Sequence, residues 1–82
     1  MPNLSIIVRA MWDAKAKVWV ATSDDVPGLI TEADDHNKLA RKLKVMVPEL
    51  LDLNKSLRDR FPPEVPLIIL FEHVSKVRLR AA

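Results

Sequence analysis

Apolar and polar residues alternate with period two through residues 4–11, LSIIVRAM, which predicts a first strand. Leu4, Ile6, Val8 and Ala10 share one face, and Ser5, Ile7, Arg9 and Met11 the other. Alternation resumes at 18–22, VWVAT, and again from Leu29 to Ala33. Trp12 to Lys17 makes the first reversal, with Asp13 as the turn former. A loop of Asp13–Ala16 sets Ala10 opposite Trp19 and Val8 opposite Ala21. A loop one residue longer sets Ala10 opposite Val20 and exchanges the faces. The shorter loop is preferred, because it turns small Ala21 towards a covering helix. The second reversal is Val26-Pro27-Gly28-Leu29. Proline pre-sets the second position of a type II turn, and the chain's only glycine supplies the positive φ of the third.

From Leu39 the period changes. Leu39, Leu43, Met46 and Leu50 fall on one helical stripe, widened by Ala40, Val47 and Leu51. Lys38, Arg41, Lys42, Glu49 and Asp52 lie mostly off it. Asp34 or Asp35 is placed to cap the helix, since a short carboxylate accepts from first-turn amides. Pro48 interrupts the stripe and removes a helical hydrogen bond. The reading adopted is a kinked, nearly continuous helix to Leu53. Residues 54–66, NKSLRDRFPPEVP, form a linker in which Pro62-Pro63 forces extension, with Leu57 and Phe61 tucked against the core. Residues 67–79, LIILFEHVSKVRL, are strongly β-prone and form a last strand, with a shift in alternation near Glu72–Val74.

The predicted fold is α+β, a two-layer sandwich of order β-β-β-α-β. An antiparallel meander is joined by a returning C-terminal strand, and one amphipathic helix packs on one sheet face. The expected strand order is 3-2-1-4, in a single domain spanning 1–82. The second sheet face keeps apolar residues, including Ile7 and Met11, where a small antiparallel sheet normally faces water. That predicts self-association, and a homodimer is expected.

Composition narrows the classes. The chain has 82 residues, a hydrophobic fraction of 49%, no cysteine and a net charge of +2. Without cysteine there is neither a disulfide nor a thiolate metal site. The N-terminus lacks a basic n-region and Arg9 breaks its apolar run, so it does not read as a signal peptide. No apolar run approaches the ~20 residues of a membrane helix, and a cytoplasmic protein with no membrane association is expected. The charges are segregated. Asp24, Asp25, Glu32, Asp34 and Asp35 fall in a stretch without a basic residue, and four basic residues follow between Lys38 and Lys44. Acids at a helix N-terminus and bases beyond it complement the helix dipole. The same acidic stretch is also the candidate partner-binding surface.

Candidate chemistry is sparse. His36 and His73 are the only histidines, 37 positions apart, and a pair is not the three or four ligands of a zinc site. Each reads as a surface histidine, and no metal or cofactor is expected. The adjacent carboxylates Asp24-Asp25 and Asp34-Asp35 sit in turns and caps that need them. The first strand carries Arg9 where a nuclease of this topology would place an acid. No serine has a histidine and aspartate pattern beside it, and one glycine cannot build a phosphate-cradling loop. No catalytic residue is assigned. Lys76, Arg78 and Arg80 share a strand face and offer a weaker alternative, a nucleic-acid-binding stripe. Basic residues also protect strand edges from aggregation. Trp12 and Trp19 flank the first hairpin and read as core or interface anchors.

One resemblance adds to this. Arg9-Ala10, Trp12-Asp13, Trp19-Val20-Ala21-Thr22, Asp24-Asp25-Val26-Pro27-Gly28-Leu29, Glu32-Ala33 and Pro48-Glu49-Leu50-Leu51 resemble a short bacterial domain family of unknown function, grouped with the HicB-like antitoxins. The resemblance covers essentially the whole chain. It implies a β-β-β-α-β, partial ribonuclease-H-like fold without catalytic acids. It also implies a non-catalytic binding role, since HicB antitoxins cover the active face of HicA, a small basic toxin that cleaves messenger RNA, and often dimerise. By that resemblance the partner is a small basic HicA-like toxin facing the acidic 24–35 stretch. The 82 residues hold no counterpart of the C-terminal DNA-binding domain that many HicB antitoxins carry.

Overall fold

The computed structural model describes residues 4–81. Residues 1–3 and 82, which the single-domain expectation includes, lie outside the described residues. The elements are β1 (Ile6–Asp13), β2 (Val18–Thr22), β3 (Ile30–Ala33), α1 (His36–Asp52), α2 (Lys55–Arg58) and β4 (Leu67–Glu72). They form one four-stranded sheet of order β3-β2-β1-β4 with α1 on one face. β1 and β2 pair antiparallel, as do β2 and β3, and β4 lies parallel to β1. The α+β sandwich and its strand order are those the periodicity predicts.

The first hairpin differs in register. Ala10 faces Ala21 and Trp12 faces Trp19, so neither expected pairing forms. The loop is Ala14–Lys17, displaced by one residue at each end, because Asp13 closes it from the last strand position. Its carboxylate accepts from the amides of Lys15 and Ala16, and its carbonyl from the amide of Lys17 at 2.7 Å. Lys17 takes the left-handed conformation, φ 57°, that lets the chain re-enter the sheet. A register displaced by two keeps the faces, so Ala21 lies under the helix as expected and is fully buried.

The second reversal is the predicted one. Gly28 has φ +84°, and the Leu29 amide donates to the Val26 carbonyl at 3.1 Å. The turn draws Val26 and Leu29 into the core while Gly28 stays exposed.

Asp35 is the α1 cap, its carboxylate accepting from the Lys38 amide at 2.9 Å. The buried ridge of α1 is Leu39, Leu43, Val47 and Leu51, each four residues from the next. Met46 and Leu50 are only half-buried, so the stripe centre is displaced from the expected one. Pro48 lies inside the helix on its exposed side. The Lys44 carbonyl that loses its partner there belongs to an exposed residue, where water can satisfy it. The predicted linker contains an unexpected turn of helix, α2, capped by the Asn54 side chain, which accepts from the Leu57 amide at 3.2 Å. Leu57 and Phe61 pack half-buried against the core.

β4 is shorter than its sequence suggests. It ends at Glu72, and residues 73–81 continue without ladder partners, exposed throughout. The reason is its neighbour. β1 passes Met11, the partner of Glu72, and turns away two residues later at Asp13.

Candidate functional site

The pleat of the sheet decides what is left uncovered. Ile6, Val8, Ala10, Ala21 and Ala33 point under α1 and are buried. The opposite face has no covering layer among the described residues. The pairing register sets it out in rows. Ile30, Thr22, Arg9 and Leu70 cross the four strands in one row, and Glu32, Val20, Met11 and Glu72 in the next. Ile7 and Ile68 make a third, shorter row. Ile30 is 68% exposed, and Ile7, Met11, Ile68 and Leu70 are each 40–46% exposed. Thr22, Arg9, Glu32 and Glu72 stand among them on the same face, with Val20 half-buried. It is the face whose apolar residues predict self-association.

One ion pair holds its centre. Arg9 Nε donates to Glu72 Oε1 at 2.7 Å, and Arg9 Nη2 donates to Glu72 Oε2 at 3.0 Å. The hydrogen bonds to Glu72 hold the guanidinium above its ordinary pKa, and the same bonds hold the Glu72 carboxyl below its own. Asp24 lies close enough to reinforce the Arg9 charge. The side chains are 60% and 36% exposed, so water screens the pair and it contributes orientation more than stability. A two-bond fork also fixes a charge pattern within the apolar face.

The acidic stretch does not form one cluster of like function. Asp25 is tied into the fold. Its Oδ2 accepts from the Ile7 amide at 2.8 Å, and the Ser23 hydroxyl donates to the Ile7 carbonyl while accepting from the Asp25 amide. These side chains replace the ladder where β2 has ended. Asp35 is committed to the helix cap, and its carboxyl is lowered chiefly by the Lys38 amide. Asp34 pairs with Lys38 one helical turn on, at 3.1 Å. Asp24 and Glu32 are the exposed acids of the stretch whose carboxylates have no hydrogen bond among the described residues. Glu32 stands in the sheet rows above, and Asp24 beside Arg9. Lys76, Arg78 and Arg80 are exposed on the segment after β4.

The sequence pattern does not predict the aromatic cluster at one end of the sheet. Trp12 and Trp19 face each other under the hairpin with ring centroids 5.2 Å apart, and Phe71 meets Trp19 edge-on at 5.1 Å. His36 stacks on Phe71 at 3.8 Å, and His73 lies 6.5 Å from both tryptophans. The two histidines are exposed, as expected, yet both join one group. The Trp12–Trp19 pair is within reach of the sequence once the hairpin register is known. The histidines arrive from α1 and from the end of β4.

Among the described residues, no group of three His, Asp or Glu side chains is placed to hold a metal, and no helix is long and apolar enough to cross a membrane. The concave surface lies at the other end of the sandwich. It is an open, mostly apolar groove lined by Leu43, Val47, Val65 and Leu67, and it contains none of the candidate acidic or basic site residues.

No curated protein matches the chain. Among solved structures it is similar to a hypothetical protein, TTHA1013, from the extremely thermophilic bacterium Thermus thermophilus. The two are 43% identical, with a TM-score of 0.67, over 93% of this chain and 100% of that one. A family model described as a domain of unknown function, DUF1902, matches residues 5–80, and the chain therefore belongs to that family.

Proposed function

We propose that the chain is a non-catalytic protein-binding module that acts as HicB-type antitoxins do, silencing a small basic RNA-cleaving toxin by covering its active face. The observation that carries this reading is the uncovered sheet face with its exposed apolar residues, with Glu32 exposed on it and Asp24 exposed just beyond the end of β2. Apolar residues supply the buried centre of an interface, and acidic residues steer a basic partner into register. Within the acidic stretch, the burden of recognition falls on Asp24 and Glu32, with Asp34 two residues beyond Glu32. Asp25 and Asp35 act through the fold. The work is placed in the cytoplasm, where messenger RNA is the target to be spared.

The test is capture with a tagged chain from the native host at ~0.1 M salt, with protein and nucleic acid read separately. The expected result is a stoichiometric small basic protein that cleaves RNA alone and stops when the chain is added. Asp24→Asn with Glu32→Gln should weaken that complex more at low salt than at high. Nucleic acid without protein would instead favour the basic segment, Lys76, Arg78 and Arg80, as the working surface.

A further inference from the structure

The segment after β4 and the edge of β4 each lack what the other supplies. Residues 73–81 run on from β4 without a ladder, and Val74, Val77 and Leu79 are 79–84% exposed. The molecule is correspondingly long, 54 Å by 31 by 19, with a radius of gyration of 15.7 Å against ~12 Å for a compact chain of this length. The segment is part of the domain rather than an appendage, since the family model runs to residue 80.

The two sheet edges are treated differently. β3 is four residues long, and the Lys42 ammonium donates to its Glu32 carbonyl at 2.6 Å, which blunts that edge. β4 is longer, reads LIILFE without proline or lysine, and has an outer edge unpaired among the described residues. Its core-facing residues show the missing neighbour. Leu67, Ile69 and Phe71 are half-buried, whereas Ile6, Val8 and Ala10 beside them on β1 are at most 1% exposed.

We infer that two copies of this chain pair antiparallel along β4 and its continuation, each laying residues 74–80 against the other's β4 about a two-fold axis at His73. The occupant of the open edge is thus a second copy. Parity fixes the register class. Continued as a regular strand, the odd-numbered residues stay on the helix side with Leu67, Ile69 and Phe71. Pairing about residue 73 then sets Leu79 opposite the partner's Leu67 and Val77 opposite the partner's Ile69. There they reach the apolar groove beside Leu67 and Val65. Lys76 and Arg78 fall opposite the partner's Leu70 and Ile68 on the open face, where their aliphatic stems can lie over those residues with the charges in water. The arrangement is isologous, so it closes as a dimer. It leaves Ile7, Met11 and Ile30 free, and it stands whether or not the antitoxin reading does.

The test is the solution mass of the full chain, with two variants. Light scattering should give twice the 9.3 kDa chain mass. Val77→Pro removes a ladder donor from each copy in a segment outside the monomer fold, and should weaken association roughly tenfold with the thermal transition of the monomer unchanged. His73→Cys places two thiols across the axis at the spacing a disulfide needs, and the chain has no other cysteine. Mild oxidation should link the dimer, whereas Val74→Cys, displaced from the axis, should link it poorly. A monomer overturns the inference. So does a dimer that survives Val77→Pro and falls to Met11→Lys, which would move the interface to the open face.

Discussion

Arg9 and Glu72, 63 positions apart in the sequence, meet in a forked ion pair of 2.7 and 3.0 Å at the centre of the open sheet face. The pair lies diagonally across the parallel strands β1 and β4, whose register opposes Arg9 to Leu70 and Met11 to Glu72. It joins the first strand to the last at the place where the last stops pairing.

The pair sets a pH dependence of stability with a defined sign. The Glu72 carboxyl titrates lower in the fold than in the unfolded chain. Its contribution is therefore present above the unfolded value of about 4.3 and lost as the pH falls through the folded value. Arg9 is raised, so its contribution is full below its unfolded value and is lost only above any working pH. Asp35 is lowered and adds to the acid limb. Urea midpoints measured from pH 7 down to pH 3 should fall below about pH 4.5, and less steeply for Glu72→Gln than for wild type. Parallel acid limbs would show that the solvent-screened fork adds nothing measurable to stability.

Two neighbouring acids should behave differently. Asp25 satisfies the Ile7 amide, and a hydrogen bond to a charged group is worth about 1.5–3 kcal/mol. Asp25→Ala should lower stability by that order. Asp24 has no such partner among the described residues, and Asp24→Ala should change stability by less than about 0.5 kcal/mol. Denaturant midpoints of the two variants measure the difference directly.

Gly28 tests the turn. A Cβ built there meets no heavy atom within 4 Å, so substitution costs only the positive φ. Gly28→Ala should cost ~1–2 kcal/mol, and β-branched Gly28→Val more, up to about 3 kcal/mol. Thermal melts of the two variants should rank in that order below wild type.

The helix ridge carries the core. Leu43 is fully buried between its neighbours on α1 and the sheet. Leu43→Ala should cost about 2–5 kcal/mol, whereas Val45→Ala, on the exposed side of the same helix, should lie near neutrality. Chemical denaturation of both variants checks the ridge assignment.

What can be read from the sequence is local. The Pro27-Gly28 turn, the Asp35 cap and the change from period two to a helical stripe each depend on residues a few positions apart. The sheet faces are also legible, because parity survives a displacement of two, but the register of β1 against β2 is not. It is settled by the Asp13 side chain closing the loop from inside the strand. The Arg9–Glu72 fork and the cluster of Trp19, His36, Phe71 and His73 depend on strand order across distant segments, which no local pattern encodes. The length of β4 escapes the sequence for the same reason. Residues 73–79 have strand chemistry, but a strand needs a neighbour, and within one chain β1 has turned away.

Met11→Lys with Ile30→Lys alters the open sheet face without touching the core. Capture from the native host should be run with wild type and with this double variant side by side. Wild type should retain a small basic protein whose RNA cleavage it suppresses, and the variant should fold, melt as wild type and retain none. Equal capture by both chains, or the bait alone from both, would rule out the open face as the toxin-binding surface.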